Sequence, residues 1–174
     1  MPRSPDGSSS HAHDCRCDGC QRAIAYFQAH PEDYFRKVIG VEPEPYQVEL
    51  VQSVAKPNSR TAFIGANGVG KDALSAWLVE WFLYCHEGVV QTTSASDRQV
   101  GLLWHEINYW TSKSTAFLAF ELMQRKMHKR TAPSAYAEGF KASAASKMEG
   151  YHAPALLYIM TEARGVEDWA YQAM

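Results

Sequence analysis

Lys71 and Asp72 close the stretch "GANGVGKD", Gly65 to Asp72. Gly65, Gly68 and Gly70 free the backbone to turn its N–H groups inward, around phosphate oxygens. A lysine at the start of the following helix can reach the β and γ phosphates of a nucleotide. The spacing fits the phosphate-loop pattern G-x-x-x-x-G-K-[ST] except at its last letter. Where the pattern has a hydroxyl to hold Mg²⁺, this chain has the carboxylate of Asp72. Gly65, Ala66, Asn67, Gly68, Val69, Gly70, Lys71 and Asp72 therefore make up a candidate nucleotide cradle. The plain alternative is a glycine-rich turn between a strand and a helix, with no ligand.

A second segment, "LLYIMTEA", supplies the acid that such a loop requires. An ATPase of this kind needs a carboxylate for Mg²⁺ at the tip of a buried strand, then a glutamate to orient or deprotonate water. Glu162 takes the second place and Thr161 the first. Hydroxyl and carboxylate are thus exchanged between the loop and the strand. Asp72 and Thr161 are expected to hold the metal as a reciprocal pair, Asp72 as ligand and Thr161 beside it. A third segment, "PYQ", places Tyr46 to stack on a base and Gln47 to read the N6 and N7 edge of adenine. Both are equally readable as ordinary helix residues.

These groups need elements to hold them. Pro31 with Glu32 and Asp33 opens a helix whose apolar face is Tyr34, Phe35, Val38 and Ile39. A second helix runs from about Tyr46 to Val54, with Tyr46, Leu50, Val51 and Val54 inward. "TAFIG", Thr61 to Gly65, reads as a short strand feeding the loop. Leu74, Trp77, Leu78, Trp81, Phe82 and Cys85 recur with the helical period. Gly88 to Ala95 is the next strand, and Gln99, Leu103, Ile107 and Trp110 mark another helix. Residues 111–133 read as a helix from about Thr115, then a basic loop. "SAYAEGFKA" is a strand, and Pro154 to Ala163 a buried central one. Alternating strands and helices predict an α/β protein with a mainly parallel sheet covered on its faces.

The 174 residues suffice for one domain, and 46% hydrophobic residues are ordinary for a globular chain. A net charge of −2 argues neither for nor against a nucleic-acid partner, so any DNA-binding face must be local. No apolar run reaches the ~20 residues that span a bilayer. The N-terminus "MPRSPDGSSSHAHD" lacks the apolar core of a signal peptide. Membrane attachment is not expected, and a cytosolic setting with reduced cysteines is. Residues 1–22 read as a disordered polar leader and 23–174 as the folded domain. His11, His13, Cys15, Cys17 and Cys20 crowd into the leader, but their spacing fits no zinc template.

Four segments in order, "FRKVIGVEPEPYQVELV", "GANGVGKD", "TTSASDRQVGLLWHEI" and "EGYHAPALLYIMTEARGVED", carry a family likeness. Over Tyr34 to Asp168 the chain resembles the N-terminal ATPase domain of terminase large subunits of tailed bacteriophages and prophages. The resemblance implies a three-layer phosphate-loop NTPase core, using ATP and Mg²⁺ to drive double-stranded DNA into a capsid. It implies Lys71 and Glu162 as catalytic, and Gln47 as the adenine-reading glutamine. It also implies a small terminase subunit and a portal as partners of the full-length protein, possible homo-oligomers, and the cytoplasm of a bacterial host. Gln99 falls in a segment like the family's glutamine region after the second strand, with no role assigned. Against that pattern, the last core strands and the nuclease domain do not follow Met174, so an incomplete core is expected. Ile64 also stands where relatives often carry an arginine. Two other readings share these motifs: a helicase-like nucleic-acid motor, and an inactive remnant that at most binds nucleotide.

Overall fold

The computed structural model describes residues 17–66, 68–141 and 153–163. Helix α1 spans Asp18–Ala29, so the last residues of the segment read as a leader are helical. Residues 1–16 lie outside the described residues. Helix α2, Pro31–Tyr34, continues as a π-helical turn over Phe35–Ile39 and buries Tyr34, Phe35 and Ile39, as its apolar spacing predicts. Helix α3 spans Pro45–Val54.

Helix α4, Lys71–His86, is the centre of the core. All six residues of its apolar stripe, from Leu74 to Cys85, are buried. So are Ala76, Val79, Glu80 and Leu83 on its other sides, because further helices pack outside it. Glu80 is accommodated by hydrogen bonds: its Oε1 accepts from the hydroxyls of Tyr34 and Ser114.

Strand β1, Val89–Ser94, follows and is buried along its whole length. Helix α5, Asp97–Lys113, packs on α4 through a T-shaped contact of Trp77 with Trp110. Strands β2 (Phe120–Leu122), β3 (Lys126–Lys129), β4 (Ala132–Lys141) and β5 (Leu156–Thr161) complete a five-stranded sheet of order β2-β3-β4-β1-β5. β1 pairs parallel with β4 and with β5, while β3 pairs antiparallel with β2 and with β4.

The α/β class expected from the sequence is present, with four differences. First, residues 115–130 hold a short 3₁₀ turn and a β2–β3 hairpin in place of a helix and a basic loop. Secondly, Thr61 to Gly65 forms no strand and pairs with none among the described residues, and Ile64 is 94% exposed. Thirdly, β5 lies at the end of the strand order and is only half-buried; β3, β4 and β1 are the inner strands. Fourthly, α4 and α5, packed on each other, are the described helices that pack on the sheet. They cover the face that carries Val90, Thr92, Ala135 and Ala137. No described helix is long and apolar enough to cross a membrane.

Candidate functional site

Three chain segments meet around residues 65–72. The first is the glycine loop. Gly68 and Gly70 hold φ of 81° and 76°, left-handed values at which a side chain is strained. Gly70 is also the N-cap of α4, and its carbonyl takes the first helical bond from the N–H of Leu74. No side chain caps that helix end. Its first N–H groups are therefore available to an anion, and the helix dipole favours one there. Lys71 turns back over the loop and donates to the carbonyls of Gly65 at 2.8 Å and Ala66 at 3.3 Å. Asn67 lies outside the described residues.

The second segment is the start of α3. The Tyr46 hydroxyl donates to the Val69 carbonyl at 2.6 Å, which ties α3 to the loop. The Tyr46 ring is not inward, as the helical period suggests; it is exposed and stacks on Phe63. Gln47 is buried instead. Its Oε1 accepts from the N–H of Glu44, one half of a capping box that opens α3. Its Nε2 faces the loop, 3.3 Å from where a Cβ on Gly70 would stand. The amide that the sequence offers as an adenine reader thus has its acceptor engaged in capping.

The third segment is the carboxyl end of the sheet. Ser94 ends β1, and its hydroxyl lies 3.0 Å from the Thr161 carbonyl and 3.2 Å from Gln99 Oε1. With one proton it donates to one of them at a time. Gln99 Oε1 also accepts from Ser96, whose own hydroxyl caps α5. Gln99 therefore works as part of the strand-to-helix turn that fixes the tip of β5. Glu162 follows that tip, exposed, with φ of 51°. A non-glycine residue in this conformation is uncommon, and such strain gathers at functional sites.

Asp72 links these segments electrostatically. Burial pushes its carboxyl up from the ordinary value, the charges of Glu106 and Glu162 push it further, and Lys71 opposes them. The residue keeps an exposed surface, so solvent screens part of this effect. Asp72, Glu162 and Glu106 therefore share one neighbourhood, while Thr161, one residue before Glu162, is tied by its carbonyl to Ser94. Among the described residues no three acidic, histidine or cysteine side chains stand close enough to hold a metal. Glu106, which also accepts from Trp110 Nε1 at 3.1 Å, was not singled out by the sequence. Its position on α5, seven residues after Gln99, is the signal that could have found it.

The residues present fit a bound nucleoside triphosphate at one end: a cradle of glycines, an uncapped helix start and one lysine. Neither a scan against protein-family models nor a search of curated proteins finds a match to this chain.

Proposed function

We propose that this chain is the ATPase part of a terminase-like DNA-packaging motor, which hydrolyses ATP to drive double-stranded DNA. The observation that carries the reading is the meeting of Lys71, its left-handed glycine turn and the Asp72–Glu162 charge pair. Lys71 would exchange the carbonyls of Gly65 and Ala66 for β and γ phosphate oxygens. Glu162, exposed beside the loop, would orient and deprotonate the attacking water. Asp72, together with Thr161, would hold the Mg²⁺ that neutralises the phosphates. On this reading the domain works in the cytoplasm of a bacterial host, with a small terminase subunit and a portal as partners of the full-length protein.

A second reading, nucleotide binding without hydrolysis, is favoured by one observation: the loop lacks its usual metal-holding hydroxyl, and Asp72 stands in its place. One experiment separates the two. Calorimetric titration of the full chain with Mg·ATP is paired with phosphate release, with and without duplex DNA. Packaging chemistry predicts binding, turnover raised by DNA, and a fall of about 10²–10⁴ in turnover for Glu162→Gln with binding retained. Binding with no turnover would leave the second reading. No binding at all would end both.

A further inference from the structure

Phe63 stands beside the glycine loop, in a run whose residue types suit a strand. Its ring lies near-parallel to that of Tyr46, with centroids 5.7 Å apart and planes only 8° from parallel. Both rings stay exposed, Tyr46 at 38% and Phe63 at 37%. Large aromatic rings left in water beside a built loop call for an occupant, since burying them is worth more than leaving them there. The pair is attached to the loop at both sides. The Tyr46 hydroxyl is held by the Val69 carbonyl, and the Phe63 ring tip lies 3.0 Å from where a Cβ on Gly65 would stand.

We propose that Tyr46 and Phe63 form an aromatic clamp for the planar base of a purine nucleoside triphosphate. The inference rests on the nucleotide reading of the loop. Each ring-on-ring contact needs about 3.5 Å, so a base between the two requires a separation of about 7 Å. The centroids now stand 5.7 Å apart, so the two rings must part before a base can enter. The run that carries Phe63 can supply the difference. Thr61 to Ile64 pairs with no described strand. It is tied by the Ser53–Thr61 hydroxyl contact at one end and by Lys71 on Gly65 at the other. Tyr46, fixed on α3 and on Val69, is the stationary jaw, and Phe63 is the movable one. Because the Gln47 acceptor already serves the α3 cap, the base is held by its faces rather than read at its edge. Stacking of that kind tolerates different bases. The clamp should therefore take guanine about as well as adenine.

The test is calorimetry on the full chain with ATP, GTP and inorganic tripolyphosphate. Lys71→Ala, Phe63→Ala and Phe63→Tyr are compared with the unchanged protein. Phe63→Ala should weaken ATP and GTP by about tenfold or more, within the range for losing one base–aromatic stack. Tripolyphosphate, which has no base, should bind as before, and this also reports that the variant is folded. Phe63→Tyr, which keeps the ring, should restore nucleotide affinity. Lys71→Ala should weaken all three ligands. If Phe63→Ala binds ATP as tightly as the unchanged protein while Lys71→Ala still weakens all three, the clamp is wrong and the phosphate loop stands. ATP bound more than about tenfold tighter than GTP would overturn the face-on mode. If the unchanged protein takes neither ATP nor tripolyphosphate, the nucleotide reading fails and the clamp with it.

Discussion

Lys71 Nζ donates to the carbonyl oxygen of Gly65 at 2.8 Å, so the lysine occupies the mouth of its own loop. A phosphate entering there must replace the two carbonyl contacts of the ammonium with contacts in which both partners are charged. Lys71→Ala removes that contact, worth about 1.5–3 kcal/mol. ATP affinity should fall at least tenfold in a titration of folded protein. Equal affinity would refute the assignment of the loop.

Glu80 gives a prediction about pH. The carboxyl is fully buried, and burial pushes it above its ordinary value, against the hydrogen bonds from Ser114 and Tyr34. A raised folded value means that the folded state holds the proton more tightly than the unfolded chain does. The resulting stability is complete below the unfolded value, near pH 4.5. It is lost as pH rises from there through the folded value. Glu80→Gln keeps the shape and removes the titration. Its melting temperature should exceed that of the unchanged protein by a margin that widens as pH rises above that unfolded value, to a few degrees. A margin that does not change with pH would count against a raised Glu80 carboxyl.

Gly139 gives a prediction about packing. It lies on β4 opposite Thr92 of β1, under the indole of Trp104. A Cβ there would stand 1.9 Å from Trp104 Nε1, whose hydrogen bond to Thr92 Oγ1 is 2.9 Å long. Trp104 is 1% exposed and has no room to withdraw. Gly139→Ala should cost at least the 1–3 kcal/mol typical of overpacking, read from denaturant unfolding. The smaller ring of Trp104→Phe should recover part of the loss in the double variant. Simple addition of the two losses would contradict the contact.

These sites differ in how far the sequence alone could reach them. The stripe from Leu74 to Cys85 was legible because a buried helix repeats its apolar residues with its own period. β1 was legible as a β-prone run between a helix and a turn. The β2–β3 hairpin was not, because its strands are three and four residues long and alternate with Glu121, Lys126, His128 and Lys129. Lys129 is nevertheless buried, its ammonium held by the Tyr84 carbonyl and by Glu87. Thr61 to Gly65 has the residues of a strand, but a strand exists only where a partner edge meets it. Local sequence does not contain that partner. The same limit explains the site. Lys71 and the glycines follow from spacing along the chain. Glu106 and Phe63 join only through contacts between distant segments.

The exchange of Asp72 and Thr161 gives the last prediction. Loop and strand tip ordinarily offer one hydroxyl and one carboxylate to Mg²⁺ from opposite sides. This chain keeps one of each, with the carboxylate on the loop. Asp72 stands among like charges, since Glu106 and Glu162 both raise its carboxyl. Without a cation, a triphosphate would add further negative charge to that neighbourhood. Nucleotide binding should therefore depend steeply on Mg²⁺. Asp72→Thr alone would leave two hydroxyls, and Thr161→Asp alone would add another carboxylate beside Glu162 and Asp72. Each single change should weaken Mg·ATP by roughly tenfold, about 1.4 kcal/mol. The double change restores the usual arrangement and should bind close to the unchanged protein, a coupling well beyond the ~0.5 kcal/mol scatter of independent sites. Additive losses, or ATP bound equally well with Mg²⁺ chelated, would show that Asp72 and Thr161 do not share a metal.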